Sequence, residues 1–117
     1  MKSFKDTHTA ERRLELAARI NSKYPDRVPV IIEPNSEKEP QIKDVKYLVP
    51  RDTIFSKLMF EARKHMPKCK EHQAITFLIN NKMIPITQTV GEVYEREKAE
   101  DGLLYVVYCK ENTFGSE

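Results

Sequence analysis

The chain has 117 residues, of which 39% are hydrophobic and 32% are charged, and its net charge is +2. This length fits one domain with a single hydrophobic core and leaves no room for a separate catalytic lobe. No stretch approaches the roughly 18 apolar residues that a membrane-spanning helix needs, and the small net charge argues against nucleic acid as a partner. The first residues lack the apolar segment of a signal peptide, so the expected compartment is the cytosol.

A helix is predicted near the start of the chain. Residues 10–23 contain no Gly or Pro, their apolar side chains recur at helical spacing, and Thr9 is the expected N-cap. Pro25 ends the helix because proline cannot continue it. Basic residues are concentrated in this part of the chain, which fits either an ordinary solvated helix face or a surface for acidic partners.

Two strands joined by a long loop follow the helix. Residues 28–33 are apolar and largely β-branched, and Lys46–Pro50 is a short apolar run closed by proline. The polar segment 34–44 between them predicts a hairpin with a long loop. Because proline donates no hydrogen bond to a ladder, we expect the second strand at a sheet edge, where its free backbone groups would receive an extended peptide.

The second half of the chain alternates further helices and strands. The predicted elements are a helix over residues 53–65, a strand over 74–79, a short strand over 83–85, a helix over 90–98 and a last strand over 103–109. Asp52 is the expected N-cap of the first of these helices, and Thr89 and Glu92 have the spacing of a capping box. The run 74–79 is apolar enough for the centre of the sheet.

This order predicts an α+β fold, a ubiquitin-like β-grasp with an N-terminal helical extension, because a late strand can insert beside the first. The predicted organisation is a single domain. Residues 1–24 form the helical extension, residues 25–110 the β-grasp core, and residues 111–117 a flexible C-terminal tail.

The sequence offers little catalytic machinery. It has three glycines and neither a Gly-rich phosphate loop nor a nucleophile elbow. His65, Cys69 and His72 have metal-ligand spacing but lack an evident fourth ligand, and Cys69 and Cys109 are expected to be reduced thiols. We therefore predict that the protein is not an enzyme and binds no metal, and that it is a binding module or a protein modifier. The alternative is a small redox or zinc protein that uses Cys69.

Five short segments of the sequence are more informative than the order of the predicted helices and strands. They are residues 23–31 (KYPDRVPVI), 46–50 (KYLVP), 80–81 (NN), 101–106 (DGLLYV) and 111–115 (ENTFG). Over essentially the whole chain, they closely resemble the autophagy ubiquitin-like modifiers, the family of GABARAP and microtubule-associated light chain three. The resemblance implies a β-grasp fold that carries two N-terminal helices.

The resemblance also implies a covalent role for the C-terminus. In this family a cysteine protease cuts after a C-terminal glycine, and ubiquitin-like activating and conjugating enzymes transfer that glycine to phosphatidylethanolamine on autophagic membranes. Gly115 matches the conjugated residue, Phe114 matches the residue that the protease reads, and Ser116 and Glu117 would be removed. No cofactor is expected apart from the covalent lipid. The alternative is a trafficking or microtubule-associated adaptor that is never lipidated.

By the same resemblance, receptors carry an aromatic-x-x-aliphatic motif that adds a strand at the Lys46 edge. An aromatic pocket would be lined by Ile20, Pro29, Ile31, Lys46, Leu48 and Leu103. An aliphatic pocket would be lined by Tyr47, Val49, Pro50, Leu58 and Glu61. Arg27 and Arg63 match basic positions that would form a rim for acidic residues beside the motif.

The chain departs from the family pattern around both pockets. Thr53, Glu61 and Ala62 stand where relatives commonly have apolar residues, so we expect a smaller and more polar aliphatic pocket with altered partner selectivity. Leu16 stands where relatives often have Glu, which makes the outer wall of the aromatic pocket more apolar. Asp44 makes the rim less positive, which weakens the steering of acidic partners.

Overall fold

The computed structural model describes residues 2–69 and 73–111. This part of the chain forms, in order, the helices and strands α1 (Phe4–Thr7), α2 (Ala10–Lys23), β1 (Arg27–Pro34), β2 (Lys46–Pro50), α3 (Phe55–Arg63), β3 (Ile75–Ile79), β4 (Lys82–Met83), α4 (Val90–Glu97) and β5 (Leu104–Lys110). Among these residues no helix combines the length and the apolar character that crossing a bilayer requires.

The five strands form one mixed sheet in the order β2-β1-β5-β3-β4. β1 pairs antiparallel with β2 and parallel with β5, while β3 is antiparallel to both β5 and β4. The late strand therefore lies beside the first, which confirms the predicted β-grasp. The prediction that Lys46–Pro50 is an edge strand is confirmed as well.

The sheet has apolar side chains on both faces because its strands alternate their side chains between two layers of helix. The larger core lies on the α3 and α4 side and includes Val30, Val49, Leu58 and Tyr108. A smaller core on the other face joins Ile31 and Leu103 of the sheet region to Phe4 and Ala17 of the N-terminal helices. One face of β2 is therefore directed toward α3 and α4, and its other face is directed toward the N-terminal helices.

The N-terminal helices begin at capped residues. Thr9 caps α2 by accepting from the N–H of Arg12, as predicted, and Ser3 forms a capping box with Asp6 at the start of α1. α1 is only four residues long, too short for a periodic signal, and it is held by the buried side chain of Phe4. The two helices implied by the family resemblance are both present.

The start of α3 corrects one prediction. Asp52 does not cap the helix, whose N-cap is Ile54 and has no side-chain capping bond. The carbonyls of Ile86 and Gln88 instead accept from the first amides of α3, those of Ser56 and Phe55. A distant loop therefore satisfies these amides, and no local sequence signal marks the helix start.

The position of the 74–79 strand corrects another prediction. β3 does not lie at the sheet centre, because β5 occupies that position and β3 has only the two-residue β4 on its outer side. Phe77 and Ile79 supply the apolar signal because they point into the larger core. The capping box of Thr89 and Glu92 is confirmed at the start of α4.

Candidate functional site

The outer edge of β2 presents alternate backbone groups away from the sheet. At its two ends, the N–H of Ile32 donates to the Val45 carbonyl and the N–H of Arg51 donates to the Asp26 carbonyl. Because bonded residues alternate along an antiparallel pair, the backbone groups of Lys46 and Leu48 point outward. Within the described part of the chain, no strand pairs with this edge.

Two prolines fix the register and the end of this edge. Pro29 lies opposite Leu48 and has no N–H, which suits a pair that does not exchange hydrogen bonds. Pro50, the next residue whose backbone faces outward, likewise has no donor and is exposed. The edge therefore offers the amides of Lys46 and Leu48 and then stops.

An apolar pocket of about 110 Å³ opens beside this edge, between β2 and α2. It is lined by Leu16, Ile20, Pro29, Val30, Ile31, Lys46, Tyr47, Leu48 and Leu103. All six residues expected for the aromatic pocket are in this set. The volume is close to the ~150 Å³ of an apolar cavity that accepts benzene, so one aromatic ring is an occupant of suitable size.

The strand register explains why these residues meet. Leu48 lies opposite Pro29 and Lys46 lies opposite Ile31, so the four side chains share the sheet face that α2 covers. Pro29 and Ile31 are buried, whereas Lys46 is exposed and leaves its ammonium at the rim.

A buried acid holds α2 against this face. Asp101 is 7% exposed, and its carboxylate accepts from Arg13 of α2 at 2.9 Å, from the hydroxyl of Tyr105 and from the N–H of Leu103. Burial, followed by the bond to Asp101, raises the pKa of Tyr105. No local signal in the sequence links Asp101 to Arg13, which lies 88 residues earlier.

The opposite face of β2 is different. Val49 and Leu58 are 6% and 4% exposed and belong to the larger core, so their side chains are committed to packing. Tyr47 is half-buried, and its hydroxyl is buried without a hydrogen-bond partner among the described residues. Burial, with a smaller contribution from Asp44, raises the pKa of Tyr47 to about 12.

An ion pair and a carboxylate–imidazole contact lie near the C-terminal end of α3. Glu61 of α3 lies 3.3 Å from the ammonium of Lys64, and Asp44 lies 3.2 Å from His65, whose ring meets Tyr47 edge to face. Glu61 lies in the last turn of α3, and His65 lies beyond the end of the helix at Arg63. The Asp44 carboxylate therefore places charge near Tyr47, where the family resemblance puts the aliphatic anchor.

Three other residues named from the sequence lie elsewhere. Ala62 is fully buried in the core, so it does not form a pocket wall. Arg63 donates to the backbone carbonyl of Gln73, which ties its guanidinium to the segment after α3. Arg27 is exposed at the start of β1, at the Pro50 end of the edge.

Several predictions fall partly or wholly outside the described residues. Phe114 and Gly115 lie there, and so does His72, the third residue of the metal-like triplet. Among residues 2–69 and 73–111, no group of three His, Cys, Asp or Glu side chains is placed to hold a metal ion. Burial raises the pKa of the Cys109 thiol, which makes it less reactive.

The comparisons with known proteins cover nearly the whole chain. A family profile described as "Autophagy protein Atg8 ubiquitin like" matches residues 11–115. The chain belongs to the Atg8 family. This confirms the resemblance drawn from the sequence and places the chain among ubiquitin-like autophagy proteins.

Atg8 proteins from distant organisms are similar over nearly their full length. Autophagy-related protein 8 of Dictyostelium discoideum is 48% identical over 98% of this chain and 95% of that protein. Autophagy-related protein 8A of Oryza sativa subsp. indica is 42% identical over 97% and 96%. The crystal structure of Trypanosoma brucei ATG8 superposes with a TM-score of 0.85 at 30% identity, covering 98% of this chain and 99% of that one.

Proposed function

We propose that this Atg8-family chain is a non-enzymatic modifier that captures receptor peptides at the β2 edge and is conjugated through Gly115 to phosphatidylethanolamine. The observation that carries the first half is the combination of two outward amides, Lys46 and Leu48, with an apolar pocket directly beside them. An extended peptide that pairs with the edge puts alternate side chains on opposite faces of β2.

The two faces then take different anchors. The aromatic residue of an aromatic-x-x-aliphatic motif enters the pocket between β2 and α2, and the aliphatic residue meets Tyr47 on the other face. The exposed ammonium of Lys46 attracts acidic residues beside the motif. Arg27 adds positive charge at the far end of the edge.

The second half of the proposal is the conjugation. The family profile extends to residue 115, and glycine suits an acyl transfer site because it has no side chain to hinder attack. A cysteine protease removes Ser116 and Glu117, and ubiquitin-like activating and conjugating enzymes transfer Gly115 to the lipid amine. The protein then moves between the cytoplasm and the autophagosome membrane, where it recruits receptors.

Reconstitution with the protease, the activating and conjugating enzymes and phosphatidylethanolamine liposomes tests the conjugation. We expect a mass loss equal to the two residues Ser116 and Glu117, followed by a gain of one phosphatidylethanolamine minus one water, because the glycine carboxyl and the lipid amine form an amide. Gly115→Ala should block the second step, while Ser116→Ala, the matched control beyond the cut, should be lipidated normally.

Lipidation of Gly115→Ala at the normal rate would contradict the assignment of Gly115. An unprocessed and unlipidated wild-type chain would instead favour the trafficking or microtubule-associated adaptor. That alternative uses the exposed basic residues of α2, among them Arg12, Arg19 and Lys23.

A further inference from the structure

Asp101 is the only charged residue among the buried ones in the described part of the chain. A buried carboxylate is stable only when its oxygens are paired. One oxygen accepts from the N–H of Leu103 at 2.9 Å, a bond that the local turn itself requires. The other accepts from Arg13, 88 residues away, and from the hydroxyl of Tyr105. One of its three bonds, the one from Arg13, therefore connects distant parts of the chain.

These bonds connect two opposite walls of the aromatic pocket. Arg13 is one turn before Leu16 and two turns before Ile20, the residues of α2 that form the outer wall. Leu103, which the same carboxylate holds through its backbone, is fully buried on the other side of the pocket. One side chain thus fixes the position of the helix relative to the sheet at this point.

Gly102 allows this close approach. Its φ is +88°, and a Cβ at this position would come within 2.9 Å of the Cβ of Ala17 on α2. A residue with a side chain would therefore be strained and would also push the helix away. The Asp101-Gly102 pair both attracts α2 and leaves room for it.

We propose that Asp101 and Arg13 are positioning residues that set the width of the aromatic pocket and so couple receptor capture to the docking of the N-terminal helices. This inference rests on the proposed peptide-binding function. Neither residue lines the pocket, so each acts through the wall that it holds. Because such coupling is reciprocal, binding of an aromatic anchor stabilises the docked position of α2 by the same free energy by which docking of α2 favours binding of the anchor.

Calorimetry with two peptides tests the proposal. One is an acidic peptide with an aromatic-x-x-aliphatic core, and the other has Ala at the aromatic position. Asp101→Asn keeps the shape of the side chain and the acceptor for the N–H of Leu103 but removes the charge. We expect this variant to bind the first peptide about tenfold more weakly than the wild type does, and the second peptide less than twofold more weakly. Arg13→Ala should act in the same way, and Arg13→Lys should recover part of the loss.

Glu97→Gln is the matched control. Glu97 is also shielded, with 11% side-chain exposure, and it accepts from Lys82 at 2.8 Å, but it lies at the opposite edge of the sheet. Its substitution removes a carboxylate of similar environment and should leave both peptide affinities unchanged. If Asp101→Asn weakened the binding of both peptides equally, the cause would be a general loosening of the fold, and the positioning role would be overturned. Unchanged binding of both peptides would overturn it as well.

A measurement without peptide separates this inference from the proposed function. In methyl NMR spectra, Asp101→Asn and Arg13→Ala should shift the signals of Leu16, Ile20 and Leu103 and speed amide exchange in α2, whereas Glu97→Gln should not. If the wild type binds neither peptide, the peptide-binding function fails, and these spectra alone decide whether Asp101 positions the walls. Unchanged spectra in both variants would refute the inference.

Discussion

The two faces of β2 are built differently although they belong to the same five residues. On the α2 face, Leu48 closes an apolar pocket, and among the described residues that line it only Lys46 is charged. On the α3 face, Val49 is committed to the core, the Tyr47 hydroxyl has no partner in the described chain, and the Asp44 carboxylate contacts His65 beside Tyr47. Under the proposed function, an edge strand of this kind can offer one anchor site that accepts many peptides and a second that discriminates between them.

The largest expected effect comes from blocking the apolar face. Leu48→Arg would place a second cation beside Lys46 inside the pocket, and an uncompensated charge is costly in apolar surroundings. We expect the affinity for an aromatic-x-x-aliphatic peptide to fall about 100-fold, measured by calorimetry. Leu14→Arg is the control, because Leu14 is a leucine of α2 that is 52% exposed. Equal losses from both variants would show that the pocket is not the site.

An intermediate effect is expected on the charged face. Glu61→Leu replaces a carboxylate with an apolar side chain at a position that the family resemblance assigns to the aliphatic pocket, so the same peptide should bind about three- to tenfold more tightly. The control is Glu95→Leu on α4, which also removes an exposed, ion-paired carboxylate. An unchanged affinity for Glu61→Leu would mean that Glu61 does not face the ligand and that the two faces differ less than their charges indicate.

The smallest effect concerns the stability of the fold. Tyr47→Phe removes a buried hydroxyl that lacks a partner among the described residues, and we expect the free energy of unfolding to rise by about 1 kcal/mol. Denaturant unfolding at pH 7 measures it. Tyr24→Phe is the control because Tyr24 is 40% exposed. A loss of stability in Tyr47→Phe would show that the hydroxyl has a partner after all, such as an ordered water.

Tyr47 should also make the stability of the wild type depend on pH in the alkaline range. The pKa of Tyr47 is raised from 10 to about 12, so its neutral form favours folding, and this contribution is complete below pH 10 and is lost as the pH rises toward 12. The wild type should therefore lose more stability over this range than Tyr47→Phe does. Parallel pH profiles would contradict the assigned pKa shift.

Much of this architecture could be predicted from the chain. The helical spacing before Pro25, the capping box at Thr89 and the proline at residue 50 are local signals, and they correctly gave α2, the start of α4 and the edge strand. Because side chains alternate along a strand, the sequence of β2 is also enough to separate Lys46 and Leu48 from Tyr47 and Val49. Each of these inferences needs only a short, continuous stretch of sequence.

The missed features depend on contacts between distant residues. The start of α3 is set by carbonyls of the 86–88 segment, and the central position of β5 is set by its partners rather than by its own composition. The role of Asp101 depends on Arg13, which lies 88 residues earlier. The bond from the Arg63 guanidinium to the carbonyl of Gln73 is a further contact of this kind. Such pairings have no local signature.

The most direct test of the account is NMR titration of the isotopically labelled chain with an acidic aromatic-x-x-aliphatic peptide. We predict that the Lys46 and Leu48 amides shift most and become protected from exchange, and that the ring current of the aromatic anchor moves the methyl signals of Ile20 and Leu103. The largest shifts at the β4 edge, with the amides of β2 unchanged, would contradict the assignment of β2 as the docking edge.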